Sequence, residues 1–515
     1  MYLKIAWQKW SGRNKAMSED QILVFDIGTS KLKAGVYSEQ GVKIAESARE
    51  MDINYPAEGW AEQDPEKWMH FIVDLSKEIL MKMGQANIKG IGVTGQLMGL
   101  VPVNINMKHL RNAIIWLDSR AEQEAEEILS SISVMDFLEM TGGIPTGKDV
   151  IAKILWLKNH EPEIFDKTRY FLDVKDYIIY RLTNNVVTDI STAAVRGLID
   201  VRIKNWSETL CNIIGTTVDK LPDITETKSV IGNLKNEKML NLGISKEVEV
   251  INGAGDAFVT PFGAGAVKDG KAHYYLGTSS WASTHVSDPL MNEERGIGSV
   301  YSAIPGKWLL ISESESAGSC LDWFMSNIYK AKDDKAYREI NENVSKSKPG
   351  SKNLIFLPWL YGERSPVLDV YARGGFVNLS LDHNINDLSR SVMEGIAMNA
   401  KWMVEGISET GINFSSINVV GGGAKSEIWM QILSDILKME VKRVADPQNV
   451  TLRGSAMLTL LGLNYLKTVE ETESLIKIDR TFVQNQDNEQ VYDKLFENYK
   501  KIYSSLKEIF ENLNS

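Results

Sequence analysis

The sequence predicts an α/β fold of two domains flanking a central cleft. Three observations predict it. The chain has 515 residues, too many for one ordinary core, so two large domains are the natural expectation. Short β-type runs alternate with amphipathic helical patterns. A strand–turn–strand unit that opens the first half recurs at the opening of the second.

The composition excludes several classes. A hydrophobic content of 43% with 24% charged residues is that of a globular protein. No apolar run reaches the roughly 18 residues of a membrane span. Lys and Arg total 57 against 68 Asp and Glu, a formal charge of −11, which disfavours nucleic-acid or anionic-membrane partners. Two cysteines, Cys211 and Cys320, make no disulfide scaffold and suit a reducing cytoplasm. Residues 1–19 read as an N-terminal extension: Lys4, Lys9, Arg13 and Lys15 are present but no apolar signal core is, and Met17 is an alternative start.

In chain order, Ile22 to Phe25 reads as a strand, Asp26-Ile-Gly-Thr-Ser30 as a turn, and Lys31 to Tyr37 as the returning strand. Residues 66–84 have helical periodicity and Ile88 to Val93 reads as a strand. Helical patterns follow at 119–130, 150–160 and 174–182, then a strand-like run from Val248 to Ile251. The second half repeats the opening: strand His273 to Leu276, turn Gly277-Thr-Ser-Ser280, return Trp281 to Val286. The two Gly-Thr-Ser turns lie 249 residues apart, at Gly28 and Gly277, and we read them as an internal duplication. Ile417 to Val420, Gly421-Gly-Gly-Ala424 and a helix from about Ser426 to Lys438 form a strand–glycine turn–helix unit. The stretch 489–512 reads as an amphipathic helix with a packing face.

Glycine lets main-chain N–H groups approach an anion, and Thr and Ser hydroxyls add neutral donors. The two Gly-Thr-Ser turns, one per domain, therefore suit phosphate gripped from both sides of a closing cleft. Phosphoryl transfer also needs carboxylates, to hold magnesium and to accept a proton. Asp26 enters the first turn and suits Mg²⁺, directly or through water. Asp256, in Gly253-Ala-Gly-Asp256 after a strand, suits a general base. Gly142-Gly-Ile-Pro-Thr-Gly147-Lys148 has Walker A spacing, but Asp149 stands where Ser or Thr should bind magnesium, and we read it as a helix–loop–helix connection. No zinc or dinucleotide motif is present.

Taken in order, these residues resemble the FGGY carbohydrate kinases over about residues 20–512. The carriers include Asp26-Ile-Gly-Thr-Ser30, Gly59-Trp-Ala-Glu-Gln-Asp64, Gly95-Gln-Leu-Met-Gly99, Trp116-Leu-Asp-Ser-Arg120 and Lys153-Ile-Leu-Trp156. They continue with Lys175-Asp-Tyr177, Gly253-Ala-Gly-Asp256, Gly362-Glu-Arg-Ser-Pro366, Ala372-Arg-Gly-Gly-Phe376 and Gly421-Gly-Gly423. The resemblance implies two actin-like, ribonuclease-H-like ATPase domains: a sugar-binding one at 20–252 and a nucleotide-binding one at 253–515. It implies Asp256 as catalytic base and Asp26 as the acidic residue of the first phosphate motif. ATP would be met by Thr29, Ser30, Gly277, Thr278, Gly318, Asp322, Gly422, Gly423 and Ala424. The acceptor would be met by Gln96, Leu97, Met98 and Trp116, the indole lying on substrate carbons. ATP and Mg²⁺ are the implied cofactors, and a homodimer is compatible with the resemblance.

Within the family the pattern is nearest to xylulose kinases, but two positions depart from it. Met98 stands where His is usual and Ala257 where Asn is usual, so two hydrogen-bonding groups are lost from the acceptor side. The expected reaction is phosphorylation of a small sugar, foremost a ketopentose such as xylulose. Erythritol or erythrulose, ribulose, glycerol and gluconate are the alternatives, and an actin-like ATPase without a sugar is a distant one.

Overall fold

The computed structural model describes residues 19–515 apart from Gln85. The expected extension lies outside the described residues, save for Glu19. Two sheets organise the chain. The first holds β1 (Gln21–Ile27), β2 (Lys31–Ser38), β3 (Lys43–Glu50), β4 (Ile88–Gly95), β5 (Val230–Asn233) and β6 (Glu249–Ile251), in the order β5–β6–β4–β1–β2–β3. The second holds β7 (Ala272–Leu276), β8 (Ser280–Val286), β9 (Ile297–Tyr301), β10 (Trp308–Ser314), β11 (Ser416–Val420), β12 (Glu440–Val444) and β13 (Ile478–Phe482), in the order β9–β10–β8–β7–β11–β12–β13.

Read from β3, the first sheet runs β3–β2–β1–β4–β6–β5 with steps antiparallel, antiparallel, parallel, parallel, antiparallel. Read from β10, the second runs β10–β8–β7–β11–β12–β13 with the same five senses. The duplication inferred from two three-residue turns thus extends to five strands in each half in the same chain order; the sixth, antiparallel strand precedes its neighbour in the first sheet (β5 before β6) and follows it in the second (β13 after β12). Both turns close hairpins at equivalent places, between β1 and β2 and between β7 and β8.

The chain divides into two compact units. Among the described residues, one comprises 19–263, Val300–Lys307 and Thr451–Leu475; the other comprises Ala264–Ser299, Trp308–Val450 and Ile476–Ser515. The expected cut between 252 and 253 was a single one. Residues 253–263 fall instead in the first unit, because Gly253 and Ala254 are pinned to β4. Thr94 Oγ1 donates to the Ala254 carbonyl at 2.7 Å, and a Cβ on Gly253 would stand 2.1 Å from the Val93 carbonyl oxygen.

In the first unit the helix Pro65–Met83, capped by Asp64 and started by proline, buries Trp68, Met69, Ile72, Leu75 and Ile79 on one face. The helix Val450–Gly462 covers the same sheet, with Leu452, Ala456 and Leu460 against Ile22, Val24 and Tyr37. Gly90 and Gly92 of β4 make room for it: a Cβ at 92 would lie 2.0 Å from Thr459 Oγ1. In the second unit the helix Ile385–Ser408 is almost wholly buried, and the helix Glu489–Asn514 seats Tyr492, Leu495, Phe496, Tyr499, Tyr503 and Phe510 in the core, as its packing face predicts. The Walker-like segment joins the helix Val134–Thr141 to Val150–His160, as expected. Among the described residues no helix is long and apolar enough to cross a membrane.

Candidate active site

In the first unit three loops leave the same end of the sheet from neighbouring strands. β1 ends in register with β4, where Ile27 faces Gly95, and β4 is paired with β6, where Gly92 faces Ile251. The loops are Gly28–Ser30, Gln96–Gly99 and Asn252–Gly255. The sequence places Asp26 at the mouth of the first turn; the structure places it inside β1, opposite Lys33 and buried. Its Oδ2 accepts from Thr451 Oγ1 at 2.5 Å, and burial raises its pKa against the pull of Lys33 and Thr451. Thr451 lies 425 residues away and carries no sequence signal that could have paired it with Asp26.

Thr29 and Gln96 belong to one hydrogen-bonded network. Trp116 Nε1 donates to Thr29 Oγ1 at 2.8 Å, and that hydroxyl lies 3.4 Å from Gln96 Oε1. Gln96 Nε2 donates to Gln63 Oε1 at 2.8 Å, and Gln63 Nε2 donates to the Thr29 carbonyl at 2.7 Å. The first Gly-Thr-Ser turn and the acceptor-side residues are thus parts of one structure. Gln63, within Gly59–Asp64, holds them together, and nothing in the sequence marks it apart from its neighbours. Trp116 is half-buried, with its N–H committed to Thr29, and Ser30 is exposed.

The segment carrying Trp116 is anchored by charge. Asp118 accepts from the Ala61 N–H at 2.5 Å and pairs with Arg120, whose guanidinium also reaches Glu62. That guanidinium lies 3.8 Å from the Trp60 ring centroid and 4.8 Å from that of Trp156. Three separate sequence motifs meet there.

Asp256 opens the helix Asp256–Ala264, is half-buried, and accepts from its neighbour's N–H, Ala257, at 2.8 Å. Pro261 interrupts the helix ladder, and Thr260 Oγ1 takes up the Asp256 carbonyl at 2.7 Å. Leu97 lies against the glycine before the carboxylate: a Cβ on Gly255 would stand 2.1 Å from Leu97 Cδ2. The Gln96–Met98 segment and the Asp256 loop therefore touch. Ala257, like Met98, is half-buried.

The second unit repeats the arrangement of turns at the ends of neighbouring parallel strands. Gly277 follows β7 and Gly421 follows β11, its parallel neighbour, and a Cβ on Gly421 would lie 2.4 Å from the Leu276 carbonyl oxygen. The Gly277–Thr278 turn is held by a third segment: the Gly318 N–H donates to the Gly277 carbonyl at 2.8 Å, and the N–H groups of Ala317 and Ser319 donate to the Thr278 carbonyl. Thr278 and Gly422 are exposed, Gly423 packs on Leu276, and Ala424 is buried. So Gly277, Thr278, Gly318, Gly422, Gly423 and Ala424 gather at one sheet end. Asp322 sits a helical turn beyond Gly318, its carboxylate bound by Tyr337 and by Lys332 at 2.8 Å. Beside the glycine turn a surface cavity of 390 Å³ is lined by Asn341, Ser345, Lys425, Ser426 and Ile428 among others.

Among the described residues no three His, Cys, Asp or Glu side chains gather as a metal cage. Mg²⁺ needs no such cage, because it keeps most of its waters and takes its other ligands from phosphates.

Residues 21–263 match the N-terminal domain of the FGGY family of carbohydrate kinases, and residues 272–463 match its C-terminal domain. The chain belongs to the FGGY family of carbohydrate kinases, enzymes that phosphorylate sugars with ATP. It is 29% identical to the xylulose kinase of Bacillus subtilis over 501 residues, covering 96% of this chain and 99% of that one. Its fold is similar to those of a gluconate kinase and a ligand-bound xylulose kinase of Lactobacillus acidophilus. Each has a TM-score of 0.86, at 27% and 26% identity, with 96% of this chain and 100% of the other covered.

Proposed function

We propose that the enzyme transfers the γ-phosphoryl group of ATP to a hydroxyl of a small sugar, foremost a ketopentose such as xylulose, with Asp256 as general base. The supporting observation is the contact between Leu97 and Gly255, which brings the Gln96–Met98 segment and the Asp256 carboxylate to one sheet end of the first unit. The acceptor hydroxyl gives its proton to Asp256, its oxygen forms a bond to the γ-phosphorus, and the bond from that phosphorus to ADP breaks. Gln96, Leu97, Met98 and Trp116 orient the acceptor. Thr29, Ser30, Gly277, Thr278 and Gly318 serve the phosphates, while Asp322, Gly422, Gly423 and Ala424 serve the rest of the nucleotide. Asp26 would hold Mg²⁺ through water, and the ion when bound supplies charge neutralisation at the phosphates. The two cysteines are unbridged and buried, which suits a cytoplasmic enzyme.

Gluconate is the second reading, since a gluconate kinase and a xylulose kinase are equally similar in fold. Met98 and Ala257 favour an acceptor that asks for fewer hydrogen bonds at those two places. A coupled ADP-release assay over ketopentoses, tetritols, tetruloses, glycerol and gluconate tests the proposal. A ketopentose is expected to give the highest kcat/KM. A preference for gluconate transfers the reading to the second acceptor, and ADP release independent of every sugar overturns both.

A further inference from the structure

One buried ammonium joins the two acceptor-side segments. Lys153, on the helix Val150–His160, is fully buried, and its Nζ donates to the Met98 carbonyl at 3.1 Å and to the Ile115 carbonyl at 3.0 Å. Ile115 directly precedes Trp116. On the other side of Met98, the Gly99 N–H donates to Asp173 Oδ1 at 3.3 Å, and Asp173 is also fully buried. The Met98 carbonyl and the Gly99 N–H belong to the same peptide unit, so both of its polar ends are held by buried side chains, an amine at one end and a carboxyl at the other.

That unit needs holding. Met98 has φ +59°, a left-handed conformation that a non-glycine residue adopts only when its surroundings impose it. Gly99 cannot relieve it by moving, since a Cβ there would stand 2.6 Å from Val174 Cγ2 and the backbone is packed close. Asp173 is itself fixed as the N-cap of the helix Val174–Thr183 by a capping box with Asp176.

We propose that Lys153 and Asp173 are positioning residues that clamp the Met98–Gly99 peptide unit and, through Ile115, set the Trp116 segment against it, so that they govern affinity for the sugar far more than for ATP. The proposal rests on the reading of Gln96–Met98 and Trp116 as the acceptor site. Both residues lie outside the acceptor contacts: neither side chain is exposed, and each acts through a main-chain group. The charge of Lys153 is kept in the interior by Asp118, Asp149 and Asp173, which oppose the burial that lowers its pKa to about 8. The clamp explains how methionine occupies a left-handed position where glycine would be the ordinary solution.

The test is a steady-state comparison of wild type, Lys153→Met, Met98→Gly and the double variant, with the best acceptor from the panel. Lys153→Met is expected to raise the acceptor KM at least tenfold while the ATP KM stays within twofold. In the Met98→Gly background, where glycine accepts the left-handed φ unaided, the same change is expected to raise it less than threefold. Lys153→Gln, which keeps a buried donor, is expected to fall between wild type and Lys153→Met, and it replaces the latter should that variant not fold. An unchanged acceptor KM, or acceptor and ATP KM rising together, overturns the clamp. A wild type that turns over no sugar overturns the acceptor reading first and the clamp with it.

Discussion

Asp256 and His273 show how much a single residue's surroundings decide. Asp256 heads a helix where a glycine loop and the Gln96–Met98 segment converge. As general base it is expected to contribute about 10²–10⁴-fold to kcat. Asp256→Asn should lose that factor while isothermal titration shows nucleotide binding close to wild type. Near-normal turnover in the variant would remove the base assignment. His273, in β7 just before the second phosphate turn, is fully buried; its Nδ1 lies 3.3 Å from Ser283 Oγ, and burial together with His285 lowers its pKa to about 3. In the unfolded chain it titrates near 6.5. The unfolded state therefore binds the extra proton between those values, and stability present above pH 6.5 is lost as the pH falls. The cost is about 1.4 kcal/mol per pH unit, or about 2 kcal/mol at pH 5. Urea unfolding at pH 7 and pH 5 should show His273→Gln losing less than wild type by that order; equal losses would contradict it.

At the scale of elements, close approach is what glycine provides at the strand ends. Gly253 has φ +69° and no room beside the Val93 carbonyl. Gly253→Ala should combine strain with a clash and cost about 2–4 kcal/mol, with a fall in kcat as the Asp256 loop lifts. Thermal unfolding and turnover would both report it. Gly422 is the contrast, with no atom within 4 Å of its hypothetical Cβ and an ordinary φ. Gly422→Ala should leave stability within about 0.5 kcal/mol of wild type and raise the ATP KM; a drop in melting temperature without a change in KM would refute its nucleotide role. Elements are legible in the sequence because period and punctuation are local. The helix expected at 150–160 is Val150–His160, and that expected at 174–182 is Val174–Thr183. What periodicity does not carry is the partner of an element. Nothing in Ile-Lys-Gly-Ile-Gly-Val-Thr-Gly, the sequence of β4, announces that Gly90 and Gly92 face a helix that begins at Val450.

At the scale of the whole molecule, the chain order and the compact units do not coincide. The first unit takes its last helix from beyond residue 450 and a short segment near residue 303, where Thr227 Oγ1 donates to the Ala303 carbonyl at 2.9 Å. Residues 19–263 alone would leave Ile22, Val24 and Tyr37 uncovered. That fragment is expected to aggregate or to unfold without a cooperative transition. The same residues linked to 300–307 and 451–475 should recover a cooperative transition by circular dichroism. Equal behaviour of the two polypeptides would show that the helix is dispensable.

The sequence by itself determined the α/β class, the duplication, the glycine turns and the family, because each rests on residues adjacent in the chain. It also brought forward Asp26, Asp256, Gln96 and Trp116 as separate landmarks. Only the tertiary structure decided that Thr29 bonds Trp116, that Thr451 bonds Asp26, that Lys153 and Asp173 hold the Met98–Gly99 peptide, and where the first unit ends. These are contacts between residues from 55 positions apart, for Met98 and Lys153, to 425 positions apart, for Asp26 and Thr451. The physical reason is burial: a polar group removed from water must find whichever partner the packed chain brings within about 3 Å, and sequence distance has no part in that choice.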